Sequence, residues 1–112
     1  MKVSKELMKG STDLLVLTLV EKEPMYGYQM IKELSKKSEN VFNLQEGTLY
    51  PILHMLEEKN YISSYWDENG SKKRKYYMIT KEGRKHLNDK KEEWKTFSDG
   101  INSVIGGAFC GY

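Results

Sequence analysis

The chain is short of the residues on which most catalytic and metal sites are built: its 112 residues include one cysteine and two histidines. A lone cysteine, Cys110, cannot close an intramolecular disulfide, so nothing points to an oxidising compartment and a reducing cytoplasm is expected. His54 and His86 have no further His or Cys at ligand spacing, so neither a metal centre nor a cofactor is expected. No glycine-rich phosphate loop joins a strand to a helix, and no serine or cysteine sits in a nucleophile motif. The carboxylate pairs Asp67-Glu68 and Glu92-Glu93 are sequence neighbours, which do not face each other on a helix or turn. Catalysis is therefore the weakest reading. Long apolar runs are also missing. The best one, from Leu14 to Val20, is interrupted by Thr18 and falls far short of the roughly 20 residues that a membrane span needs. No cationic leader with a cleavage site precedes it, so neither membrane insertion nor export is expected.

What is present is the make-up of one compact soluble domain, with 38% apolar and 30% charged residues. A monomer of this size and apolar content has a thin core, which makes dimerisation the expected support. The net charge of +2 is uninformative until it is divided along the chain. Residues 1–46 sum to zero, 47–66 to −1 and 87–112 to −1, so the whole excess, +4, lies in residues 67–86.

Ser11, Thr12 and Asp13 offer capping oxygens before residues 14–23, which are apolar nearly all round and read as a buried helix, with a buried strand as the alternative. Pro24 ends that segment. Residues 26–37 place Tyr26, Met30, Ile31 and Leu34 at helical spacings with lysines at the C-terminal end, where they suit the dipole. After a polar loop, residues 47–60 carry Leu49, Ile52, Leu53 and Leu56 on one helical face. Pro51 is tolerable there if the helix is capped near Thr48 and Pro51 falls in the first turn. The period then changes to two in residues 61–66 and 74–79, with Asn69-Gly70 between them as a hairpin cue. Thr80 caps a long helix from Lys81 to about Ile105, closed by Gly106-Gly107. On it Leu87, Trp94 and Ile101 recur every seven residues, with Phe97 and Val104 between them, which is the spacing of a helix packed along another helix. That stripe either covers its own domain or, the favoured reading, forms a seam with a partner chain.

Three helices, a β-hairpin and a long helix make a mainly α fold, a winged helix-turn-helix over residues 1–80 with a dimerisation helix over 81–106 and a tail over 107–112. In such a fold the third helix enters the major groove of double-stranded DNA and the hairpin lies along the backbone. With the leucines inward, Pro51, His54 and Glu58 point furthest out, flanked by Thr48, Tyr50 and Met55. The N-terminal half of that face carries no acid and offers the Thr48 and Tyr50 hydroxyls, the His54 imidazole and the positive helix end to phosphates or base edges. Lys72, Lys73, Arg74 and Lys75, the only run of four cations, would meet phosphates. A winged-helix module that binds only proteins is the competing reading, because fold alone does not fix function.

The segments YGYQMIKEL, GTLYPILHMLEEKNYISSYW and KRKYYMITKEG resemble, in order and spacing, the signature blocks of the PadR-like bacterial transcriptional regulators. The resemblance runs from about Met8 to Phe97, and the single C-terminal helix is similar to that of the short subfamily. It implies a homodimer that represses nearby genes by operator binding, often relieved by a small molecule. In some short members an aromatic residue of the last helix stacks on flat, hydrophobic, often cationic compounds across the dimer axis. Trp94 in EEWKTF occupies the similar position, where Glu93 or Asp99 could favour a cation; the alternative is an ordinary dimer-core tryptophan. The tail, with Gly107, Phe109, Cys110, Gly111 and Tyr112, departs from the family pattern, and Cys110 reads either as a redox-sensitive thiol or as a residue without a role.

Overall fold

The computed structural model describes residues 3–70 and 72–106, so Cys110 and the rest of the tail lie outside the described residues. Its elements are α1 (Lys5–Lys9), α2 (Thr12–Lys22), β1 (Met25–Tyr26), α3 (Gly27–Lys37), α4 (Glu46–Glu58), β2 (Ile62–Asp67), β3 (Arg74–Ile79) and α5 (Lys81–Val104). The four long helices and the hairpin stand where the sequence patterns put them, and residues 14–22 are helix rather than strand.

The helices close on one core. α2 contributes Val16, Leu17, Leu19 and Val20, α3 Met30 and Leu34, and α4 Leu49, Leu53 and Leu56. The loop before α4 adds Leu44, and the sheet seals the side with Met25, Ile62, Tyr77 and Ile79. Each helix presents the i, i+3, i+4 stripe that such packing requires. α4 ends in a left-handed turn at Asn60 (φ 63°), where the Tyr61 N–H donates back to the Leu56 carbonyl at 2.9 Å and turns the chain into β2.

Three local expectations are corrected. Tyr26 belongs to a strand, not a helix: β1 pairs antiparallel with β3 (Met25 with Tyr77, Tyr26 with Tyr76), giving a three-stranded sheet in the order β1-β3-β2. α4 begins at Glu46 with Gln45 at the cap position, so Thr48 lies inside the helix and Pro51 falls in the second turn. Because proline has no N–H, the bond from position 51 back to the Gly47 carbonyl cannot form. The hairpin expected around Asn69-Gly70 does form, with a long tip in which the Asn69 N–H donates to the Asp67 carboxylate at 2.9 Å.

The third correction concerns Leu87, expected at a dimer seam. It is fully buried in the core of its own chain, where the first turns of α5 pack on α2. Thr80 anchors α5 there: its hydroxyl accepts from the Gly83 N–H at 2.9 Å and donates to the Asn60 carbonyl at 2.6 Å. Beyond Leu87 the stripe emerges, and Trp94, Phe97, Ile101 and Val104 are all exposed. A helix of 24 residues is about 36 Å long, and its protrusion gives the molecule extents of 53 × 30 × 22 Å. No helix among the described residues is long and apolar enough to cross a membrane.

Candidate nucleic-acid interface

Burying Leu49, Leu53 and Leu56 turns Thr48, Tyr50, Pro51, His54 and Glu58 outward, the face that helical geometry predicts. The side chains are not equally free. His54 Nε2 lies 3.1 Å from Glu58 Oε1 one turn on, a fully solvated pair that water screens. Tyr50 lies against the start of α3, where a Cβ on Gly27 would come within 2.6 Å of its hydroxyl, so glycine at 27 makes room for that phenol. The acid-free start expected of this helix is also corrected, because Glu46 stands in its first turn. A carboxylate there complements the helix dipole, and it also opposes an anion approaching the same end.

The wing separates the four-cation run by strand alternation. Arg74 and Tyr76 point to the outer face, where Tyr26, Tyr76 and Tyr65 line up across the three strands with centroids 5.4 and 5.7 Å apart and the Arg74 guanidinium lies 4.7 Å from the Tyr26 ring. Lys75, Tyr77 and Ile79 share the helix-facing side, in register with Trp66, Ser64 and Ile62. Lys72 precedes the strand and has no ion-pair partner among the described residues, while Lys73 Nζ lies 3.4 Å from Glu68 Oε1 and 5.0 Å from the Trp66 ring. Trp66 is 56% exposed beside two lysines, a feature the sequence reading overlooked. Its signal was the alternation itself, which pairs it with Lys75.

A second group joins the wing to the far end of α4. Glu57 accepts from the Ser64 hydroxyl at 2.6 Å, and its other oxygen lies 3.9 Å from Lys75 Nζ. Burial, then the Glu57 carboxylate and the Tyr50 phenol, raise the Tyr77 phenol above the usual tyrosine range.

Away from this face, α1 and the middle of α5 border a mostly apolar cavity of about 450 Å³, lined by residues that include Leu7, Met8, Leu14, Phe42, Trp94 and Phe97. The Trp94 and Phe97 rings are tilted with centroids 6.0 Å apart. The two acids expected to favour a cation already have partners: Glu93 is 3.1 Å from Lys90 and Asp99 is 3.8 Å from Lys95, both on exposed surface. His86 stacks on Tyr61 with centroids 4.2 Å apart and lies 3.4 Å from Asp13, which ties α5 to α2. Among the described residues no group of three or more His, Cys, Asp or Glu could hold a metal ion.

The model of the transcriptional regulator PadR-like family matches residues 16–89. A curated relative from Lysinibacillus sphaericus, called only "Uncharacterized protein X", is 33% identical over 94% of this chain and 97% of its own length. Transcriptional regulator YqjI of Escherichia coli is 24% identical over 88% of this chain, which spans 46% of that protein. Among solved structures, a transcriptional regulator from Clostridium thermocellum superposes with a TM-score of 0.85 at 35% identity, over 90% of this chain and 99% of that one. A PadR family transcriptional regulator from Eggerthella lenta gives 0.81 at 36% identity, over 90% and 87%.

Proposed function

The chain belongs to the PadR-like family of transcriptional regulators, and on that premise we propose that it works as a homodimeric repressor whose two winged helices read the halves of a pseudo-palindromic operator. The family is one of DNA-binding regulators rather than enzymes. In this reading α4 enters the major groove, with Thr48, Tyr50, Pro51 and His54 toward the base edges and flanking phosphates, while Lys72, Lys73 and Arg74 of the wing meet the backbone. The observation that carries it is the conjunction, on one chain, of an exposed α4 face that is free of acid from Thr48 to His54 and a hairpin with three exposed cations.

The dimer is proposed to form along α5 beyond Leu87, through Trp94, Phe97, Ile101 and Val104. Four large apolar side chains standing exposed on a helix that protrudes from its own domain support that assignment. The effector site is proposed at Trp94, where a planar hydrophobic compound, cationic or neutral, would stack and release the operator. Its support is the open apolar cavity against which Trp94 and Phe97 lie. Because Glu93 and Asp99 are 71% and 68% exposed, water screens their charge, and stacking would give most of the affinity.

The test is recovery of bound duplexes from a random pool that includes the chain's own promoter. A two-fold symmetric site whose affinity falls steeply with salt is the expected result. No enriched sequence, together with salt-independent binding to a protein partner, would overturn it in favour of a protein-binding module.

A further inference from the structure

We propose that Glu57 holds Lys75 away from DNA phosphate, which lowers the sequence-independent part of the regulator's affinity for DNA. The inference rests on the reading of the hairpin as a phosphate-contacting wing. Four adjacent cations look like one patch, but Lys75 differs from its neighbours in two ways. It lies on the helix-facing side of β3, in register with Trp66 and on the same side as the buried Tyr77 and Ile79. Its ammonium is bracketed by the Tyr77 ring at 5.5 Å, the Trp66 ring at 6.0 Å and Glu57 Oε1 at 3.9 Å. Glu57 is itself held in place, because the Ser64 hydroxyl donates to its second oxygen at 2.6 Å.

The wing's own acids do not act in the same way, Asp67 accepting from the Asn69 N–H and Glu68 lying beside Lys73. Lys73 and Glu68 are 57% and 72% exposed, so water screens their attraction and a phosphate can replace it at little cost. Lys75 and Glu57 are 37% and 35% exposed, where screening is weaker, and moving Lys75 to a phosphate would give up its contacts with the Glu57 carboxylate and the Tyr77 and Trp66 rings. Position agrees with charge: Glu57 is in the last turn of α4, at the end opposite Thr48 and the positive helix terminus. Each wing therefore offers phosphate three cations, not four. Binding to DNA of any sequence scales with the phosphates neutralised, so keeping one cation in reserve lowers the affinity and its salt dependence on operator and random duplex alike.

The experiment measures binding to a random-sequence duplex by fluorescence anisotropy as a function of salt, for the intact chain and for Lys72→Gln, Lys73→Gln, Lys75→Gln, Glu57→Gln and the double variant Glu57→Gln with Lys75→Gln. The slope of log affinity against log salt should lose about 0.9 for each wing contact removed, so Lys72→Gln and Lys73→Gln flatten it. Lys75→Gln alone should leave it unchanged. Glu57→Gln should steepen it by about 0.9 per wing, an extra loss of roughly 3.5-fold in affinity between 50 and 200 mM salt for each released lysine, and the double variant should return it to the starting value. A Glu57→Gln slope equal to that of the intact chain would limit Glu57 to holding the fold and overturn the proposal. Flattening by Lys75→Gln to the extent seen with Lys73→Gln overturns the proposal, and this measurement does not depend on how well Glu57→Gln folds. Unchanged slopes for both Lys72→Gln and Lys73→Gln overturn the wing reading itself.

Discussion

One substitution, made at two places in the same helix, should have opposite effects. Gly83 and Gly100 both lie within α5, where alanine is favoured over glycine by about 1 kcal/mol. At Gly100 a Cβ meets nothing within 4 Å. Gly100→Ala should therefore stabilise by up to about 1 kcal/mol, near 4 °C in Tm for a chain of this size. At Gly83 a Cβ would overlap the Tyr61 carbonyl oxygen and lie 2.9 Å from the Ile79 side chain. The obstacle is backbone that cannot step aside: the Tyr61 carbonyl accepts from the Thr80 N–H at 3.1 Å, and the Thr80 hydroxyl grips the Asn60 carbonyl at 2.6 Å. Overpacking of this kind costs about 1–3 kcal/mol. Losing the Thr80 cap adds about 1 kcal/mol. Set against the propensity gain, Gly83→Ala should lose roughly 1–3 kcal/mol, or about 4–12 °C. Thermal unfolding followed by circular dichroism at one fixed protein concentration measures both variants, the fixed concentration being needed because a dimer's Tm depends on it. A Gly83→Ala chain as stable as the original would refute the packing argument. A destabilised Gly100→Ala chain would show that another surface approaches position 100.

Other predictions separate the roles of neighbouring residues. Ile101→Glu should yield monomers in sedimentation at micromolar concentration, and a surviving dimer would refute the seam. Leu87→Ala should instead cost about 2–5 kcal/mol as a core cavity, with the dimer intact once folded. His54→Ala should weaken operator binding more than random-duplex binding; equal losses would remove it from the groove. A planar cationic dye should quench tryptophan fluorescence, and quenching that persists in Trp94→Ala, where Trp66 is the only indole, would exclude Trp94 from the effector site.

Much of this architecture was legible in the residues because the apolar periods are strong. Leu49, Leu53 and Leu56 define the inner face of α4 and leave His54 outside, as observed. The parts that were not legible have physical reasons. β1 has two residues and no period; it exists because β3 has a second edge to pair, which is a property of the sheet and not of residues 25 and 26. α1 has five residues and buries none, so no stripe announces it. The start of α4 was misplaced because Gln45 is a poor capping side chain and Pro51 pulled the expected first turn toward itself. Leu44 and Leu49 in the core decide where the chain enters the helix.

The correction at Leu87 and the proposal for Lys75 have a common origin, which is that adjacency in a pattern does not settle what covers each member of it. Leu87, Trp94 and Ile101 form one seven-residue series, yet Leu87 is covered by its own chain while the other two stand exposed. The period records that an apolar face exists along α5, and only the reach of α2 decides where the self-covered part ends. The cation run behaves in the same way. Lys72 to Lys75 are contiguous, but a strand turns successive side chains to opposite faces, so Arg74 goes to the tyrosine side and Lys75 to the Glu57 side. Counting charges along the sequence assigns four cations to DNA; counting them by face assigns three and gives the fourth a partner within the chain. The salt dependence of DNA binding should then be shallower than a count of four wing cations suggests, because Lys75 faces Glu57 within the chain.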